Sequence, residues 1–420
     1  MSTQTSQKTY FQNMDILRFI AAYMIVVLHS FFGWKRYFGN PEFINTHTSP
    51  GAFNKIENII HNFTIGVDVF FIISGFLITF LLLSEYEKNG KVDVMKFYIR
   101  RAFRIWPLYF LMILVAPLLT YFLMEQSPGY LLHFLFAGNF DIINQGTKSV
   151  ATDHLWSICI EEHFYLICPL LIAFIPVKKL PRALLTIILI SILFRAYAAS
   201  YIPNYGSVLY LHTLSRIDIL ALGSLFGYLF HQKKLEFNHS LPVRLIIYTI
   251  FILLLINVDY NECGTFFAAT MKKYVFVLIA AYWMGNFLFN PDAILSVKNF
   301  NLLHLCGKVS YGIYMFNPVI IYLFLELYKK YNYTNFPLFI LLVNVSLVVV
   351  TALSYRFFEL PFLNLKEKYA VIKTIGTTKD TTISEPAIVA IPDIVEELEP
   401  VPVALTINNE LQADTPPPAV

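Results

Sequence analysis

An arginine and a histidine, Arg18 and His29, stand eleven residues apart inside one apolar run covering residues 14–30. A run of this kind can cross a bilayer, where ionisable side chains are costly and are kept for pairing or for function. Eleven residues is close to three helical turns. Both side chains therefore fall on one stripe, ~16 Å apart along the axis at about 1.5 Å per residue. An imidazole suits proton transfer near neutrality. A permanent cation near one membrane face could hold an anionic or carbonyl-bearing donor while His29, toward the other face, deprotonates an acceptor. The plainer reading is that Arg18 pairs with a carboxylate to fix packing and His29 satisfies a backbone carbonyl.

Two further clusters carry chemistry. Phe97-Tyr-Ile-Arg-Arg-Ala-Phe-Arg-Ile-Trp-Pro107 places Arg101 and Arg104 three apart on one face at the start of an apolar stretch. Such residues orient a helix and touch lipid phosphates. Guanidinium forks also match phosphate oxygens, so the pair equally reads as a clamp for a donor carrying several phosphates. In His154-Leu-Trp-Ser-Ile-Cys-Ile-Glu-Glu-His-Phe-Tyr165, the residues His154, Ser157 and Glu161 share a stripe. Glu161 is expected to orient His29 or balance its imidazolium, or else to pair with Arg18, and His163 is an alternative proton carrier. Asp68, the Arg216 and Asp218 pair, and Arg356 with Glu359 read as internally ion-paired, the last two with each other. Trp34 and Tyr37, near a span end, read as interface anchors.

These groups need a scaffold, and the composition names its class. The 420 residues are 57% hydrophobic and 14% charged, against about 25% charged in soluble domains. The fold class is all-α: a polytopic transmembrane bundle of about ten spans, near residues 14–33, 61–83, 105–125, 155–176, 183–200, 214–230, 244–258, 274–290, 309–328 and 337–358. Residues 129–140 are too short to span and read as interfacial or re-entrant. The first run is too long for a signal-peptide core and is expected to stay as a helix. With the amino terminus inside, inner segments hold 19 Lys and Arg against eight outside. That split puts both termini in the cytoplasm. Four cysteines show neither a disulfide framework nor metal spacing. Residues 381–420 carry seven acidic groups and no Lys or Arg. The expected organisation is a cytoplasmic segment 1–13, a membrane domain 14–362, and an acidic, Pro-rich, disordered cytoplasmic tail 363–420. No internal repeat of the transporter kind is visible.

Seven pieces in order resemble the acyltransferase-3 family of integral membrane acyltransferases. They are Asp15-Ile-Leu-Arg18 with His29, Gly66-Val-Asp-Val-Phe-Phe-Ile-Ile-Ser-Gly-Phe-Leu-Ile78, Arg100-Arg-Ala-Phe-Arg-Ile-Trp-Pro107, Leu155-Trp-Ser-Ile-Cys-Ile-Glu-Glu-His-Phe-Tyr-Leu166, Arg216-Ile-Asp-Ile-Leu-Ala-Leu-Gly223, Ser310-Tyr-Gly-Ile-Tyr-Met-Phe-Asn-Pro318 and Phe358-Glu-Leu-Pro361. The resemblance implies a ten-helix bundle passing an acyl group, commonly acetyl, from cytoplasmic acyl-coenzyme A to hydroxyls of extracytoplasmic or lipid-linked glycans. It implies an essential pair Arg18 and His29, donor contacts at Arg101 and Arg104, and an acidic position at Glu161. Apart from the resemblance, Asp68, His163, Arg216 and Asp218 are expected in support. Two departures stand out. Many members read Tyr-Leu-x-His-x-Pro where this chain has Asn317, so no acid–base role is expected there. His163 replaces a usual Gln.

The expectation is thus a multi-pass enzyme of a bacterial inner or plasma membrane, with no permanently bound cofactor, no metal and no nucleic-acid partner. Acyl-coenzyme A would be its co-substrate, and a glycan or lipid-linked saccharide its acceptor, with lipid around it. No appended esterase-like domain is seen, so the chain is expected to act alone or hand its acyl group to a separate partner. The competing readings are a transporter or flippase of a lipid-linked sugar, and a non-catalytic sensor or scaffold of the same fold.

Overall fold

The computed structural model describes residues 13–41, 50–123, 126–235, 237, 239–290 and 301–369. The expected tail beyond residue 369 and the segment 1–12 lie outside these. Among the described residues there is no strand. The longer helices are α1 (Met14–Phe38), α2 (Pro50–Asn62), α3 (Ile65–Asn89) and α4 (Val94–Leu123). Two short ones follow, α5 (Tyr130–Phe134) and α6 (Gly138–Gln145), over the stretch judged too short to span. Next come α7 (Trp156–Phe174), α8 (Leu180–Tyr201), the short α9 (Gly206–Leu211), α10 (Thr213–His231), α11 (Leu241–Asn257) and α12 (Lys273–Phe289). The chain closes with α13 (Asn301–Lys308), α14 (Ser310–Lys330), α15 (Phe336–Ser354) and α16 (Leu360–Glu367). The last of these carries helix five residues into the range expected to be disordered.

All ten apolar segments are helical, and the protein is an all-α polytopic membrane protein. Among the described residues, eight helices are long and apolar enough to cross a membrane. The other two, α11 and α12, have 17 residues each, ~25 Å against a hydrocarbon core of about 30 Å. A π-helical turn, Ala268–Lys272, leads into α12 and lengthens it.

The bundle is organised around α3, whose buried residues run from Ile65 to Glu85 on all sides, as expected of a central helix. Its closest neighbour is α10. Their backbones meet because side chains are missing at the seam: a Cβ on Gly75 would lie 2.0 Å from Leu220 O, and one on Gly223 2.3 Å from Ile72 O. Gly227, four residues on, continues the same small-residue ridge. Ser224 Oγ closes the seam by donating to Gly75 O at 3.2 Å. Outer helices turn apolar side chains away from the bundle, as Leu341, Val345 and Val348 of α15 do at helical spacing.

Trp34 is not an interface anchor. It is 2% exposed and packs against Phe38, Phe336 and Phe339 at 4.6, 5.1 and 5.1 Å, a cluster that joins α1 to α15. Tyr37 instead donates to Glu326 Oε1 at 2.8 Å. Nor do Arg356 and Glu359 pair. The turn Tyr355–Glu359 is π-helical, so the i,i+5 spacing brings Ser354 Oγ to Glu359 Oε1 at 3.1 Å and carries Arg356 onto Phe357.

Gly75→Ala or Gly223→Ala should cost about 1–3 kcal/mol through overpacking at the seam. The readout is a lower apparent melting temperature in thermal size-exclusion chromatography in detergent. Gly51→Ala, where a Cβ meets nothing within 4 Å, should leave it unchanged.

Candidate active site

Three guanidinium groups, Arg18, Arg101 and Arg104, share a cavity of about 90 Å³ with the carboxylate of Glu161. Its other walls include Ser74 and Leu77 of α3, Ser157 and Tyr165 of α7, and Ser310, Tyr311 and Tyr314 of α14. Ser157, Glu161 and Tyr165 repeat every four residues, so one face of α7 supplies them all. The start of α4 is set by a capped turn. Asp93 Oδ1 accepts from Lys96 N at 3.0 Å, and Glu85 accepts from Asp93 N at 2.8 Å. Arg100 is spent on that turn, 3.2 Å from Glu85 Oε2. Arg101 and Arg104 are left for the cavity. Arg101 stacks between the rings of Phe97 and Tyr165, 5.5 and 5.3 Å from their centroids. Tyr311 anchors α14 alongside by donating to Ile105 O at 2.9 Å.

Arg18 meets Asp15 at 3.2 Å. Arg101 and Arg104 form no ion pair or hydrogen bond among the described residues, although desolvated cations normally demand one. Glu161 is held by neutral donors, Ser74 Oγ at 2.9 Å and Tyr165 Oη at 2.8 Å. The expectation that it orients His29 or pairs with Arg18 is therefore corrected: it makes neither contact and braces the cavity wall.

His29 stands beyond the cavity and is not part of its walls. Its Nδ1 lies 2.7 Å from Oδ1 of Asn317 on α14. Between them and the cavity sits Tyr314, one turn before Asn317. Its hydroxyl donates to His154 O at 3.0 Å and receives the proton of Ser157 Oγ at 2.7 Å. Arg18 and His29 thus share the stripe of α1 that faces α14, with Tyr314 at the level between them. His154 belongs to the 3-10 turn Asp153–Leu155 ahead of α7, near His29 and 5.8 Å from the Tyr314 ring.

The supporting residues separate into other places. Asp68 pairs with Arg216 and accepts from Tyr260 Oη. Asp218 pairs with Arg195 at 2.6 Å and accepts from Tyr274 Oη. These are the internal ion pairs expected, with partners on other helices. They clamp α10 to α3, α8 and α12. His163 bonds Thr213 Oγ1 at 2.8 Å and stacks on Phe140, and it is not among the walls of the cavity. Glu162 points elsewhere too, taking Trp106 Nε1 at 3.2 Å. Sequence reasoning passed over Ser74, Tyr311 and Tyr314, and set Asn317 aside because it cannot titrate. The Asn-Pro step inside a helix was the available signal.

A family model described as an acyltransferase domain matches residues 11–355. A Staphylococcus aureus (strain COL) relative, named as a candidate O-acetyltransferase, is 26% identical over 393 residues, covering 86% of this chain and 58% of its own length. O-acetyltransferase OatA of Staphylococcus aureus (strain NCTC 8325) is 27% identical over 325 residues, covering 71% of this chain and 52% of its own. The chain thus spans little more than half the length of these curated relatives. No solved structure matches. With the matched region enclosing the cavity and the His29–Asn317 contact, the chain belongs to the acyltransferase-3 family.

Proposed function

We propose that this protein is a membrane O-acyltransferase. It takes an acyl group, acetyl in the first instance, from a coenzyme A thioester and passes it to a hydroxyl of an extracytoplasmic or lipid-linked glycan. The observation that carries this reading is the convergence of Arg18, Arg101 and Arg104 on one cavity, two of them with no ion pair or hydrogen bond among the described residues, one turn of α14 away from a half-buried imidazole. A cavity of about 90 Å³ falls well short of the 300–1,000 Å³ that drug-sized ligands occupy. The nucleotide therefore stays at the mouth, where Arg101 and Arg104 take its phosphates as bidentate partners, and the thioester end of the pantetheine arm enters. The loop-charge bias supports a cytoplasmic mouth, and the Staphylococcus aureus relatives support a bacterial plasma membrane. The O-acetyltransferase names of the relatives favour acetyl.

His29 removes the acceptor's hydroxyl proton as the oxygen attacks the thioester carbon. The carbon–sulfur bond then breaks, and the imidazolium returns the proton to the leaving thiolate. The products are an ester and free coenzyme A. Glu161, fixed by Ser74 and Tyr165, adds one negative charge to the three positive ones and keeps the cavity from binding anions irreversibly.

The direct test is release of free thiol from acetyl-coenzyme A by purified protein in the presence of a glycan acceptor. A path that only moves lipid-linked sugars across the membrane would release none. Arg101→Ala and Arg104→Ala should each raise the donor KM about tenfold or more, with kcat changed less, and lysine should restore only part of it. His29→Ala should lower kcat about 10²-fold or more while coenzyme A binding, read by calorimetry, stays at the wild-type level. Undiminished turnover would remove His29 from the mechanism.

A further inference from the structure

Pro318 interrupts the hydrogen-bond ladder of α14 at one rung. It has no N–H to give the carbonyl four residues back, that of Tyr314. The adjacent side chain meets that carbonyl instead: Asn317 Nδ2 donates to Tyr314 O at 2.7 Å and to Ile313 O at 3.1 Å. Both amide protons are used on carbonyls. A flipped amide would set oxygen against oxygen at both contacts, so the side chain has one admissible orientation.

That orientation aims Oδ1 at His29 Nδ1, 2.7 Å away. An amide oxygen can only accept, so Nδ1 carries the proton, and the neutral ring keeps its lone pair on Nε2. Nε2 has no partner among the described residues. Asn317 itself is fully buried, which shields the contact from competing water.

We propose that Asn317 is a positioning residue that locks His29 in its Nδ1–H tautomer, so that Nε2 is the atom that takes the acceptor's proton. This rests on the acyl-transfer reading above. In that step Nε2 gains the hydroxyl proton while the acceptor oxygen bonds to the thioester carbon, and it gives the proton to the sulfur as the carbon–sulfur bond breaks. The amide orients the ring without a countercharge, so the charged ring is not held after transfer.

The test uses the full chain in detergent with 15N-labelled histidine, at alkaline pH where imidazoles are neutral. The His29 signals are assigned by their loss in His29→Gln. Wild-type protein should show a protonated Nδ1 and a bare Nε2. Asn317→Ala should give an averaged mixture of tautomers, with kcat about 10²-fold lower and donor KM within twofold. Pro318→Ala, which returns an N–H to Tyr314 O, should loosen the amide and give a smaller loss of the same kind. A proton found on Nε2 of the wild type overturns the proposal, whether or not any variant folds. So does an Asn317→Ala protein that keeps both the tautomer and kcat. Should the spectra come out as expected while the wild type releases no thiol from acetyl-coenzyme A, the lock stands and the acyl-transfer reading fails.

Discussion

Inside a bundle surrounded by hydrocarbon, a charge persists where something meets it, and this constraint sorts the cations of the chain. Arg216 and Arg195 are each met by a carboxylate, Asp68 and Asp218, on a neighbouring helix. Arg216 is further enclosed by the rings of Phe71, Trp156 and Tyr210. Removing either partner of such a pair would strand a buried charge, so these residues hold helices rather than ligands. Arg101 and Arg104 differ in kind. Both line the cavity with no ion pair or hydrogen bond among the described residues, and Arg101 also stacks on Phe97 and Tyr165. The division between structural and functional charge follows from partner geometry, where residue type alone is silent.

The glycine seam makes that division possible. Because α3 and α10 touch backbone to backbone, Asp68 can reach Arg216, and α7 can lie close enough for Ser74 to hold Glu161. Thicker residues at the seam would move Ser74 and the whole cavity wall with it. The precision of the cavity thus depends on a contact one helix removed from it.

Much of this was legible in the chain. Apolar runs placed all ten helical segments, since length and hydropathy are one-dimensional properties. The Arg18, Arg101 and Arg104 grouping was legible because each sits on a motif with an obvious face. Partner choice was not. Glu161 could equally have met Arg18 or His29, and the deciding donors, Ser74 and Tyr165, carry no charge to attract notice. Arg356 and Glu359 were misread because a π turn changes which residues share a face. Trp34 misled because an aromatic near a span end fits both a membrane interface and a buried cluster. Asn317 was set aside because it cannot titrate, and its contacts to His29 and to the Tyr314 carbonyl emerge only in three dimensions.

The hydroxyl of Tyr314, tied to Ser157 Oγ and the His154 carbonyl, has a bearing on the host cell. An enzyme that drew one reactant from each side of a bilayer, as proposed above, would risk becoming a pore for protons and small ions. That phenol is fastened between the arginine cavity and the imidazole, so the two are separated by a hydrogen-bonded barrier. A membrane that maintains an ion gradient would then carry many copies of such a protein without losing that gradient through this route.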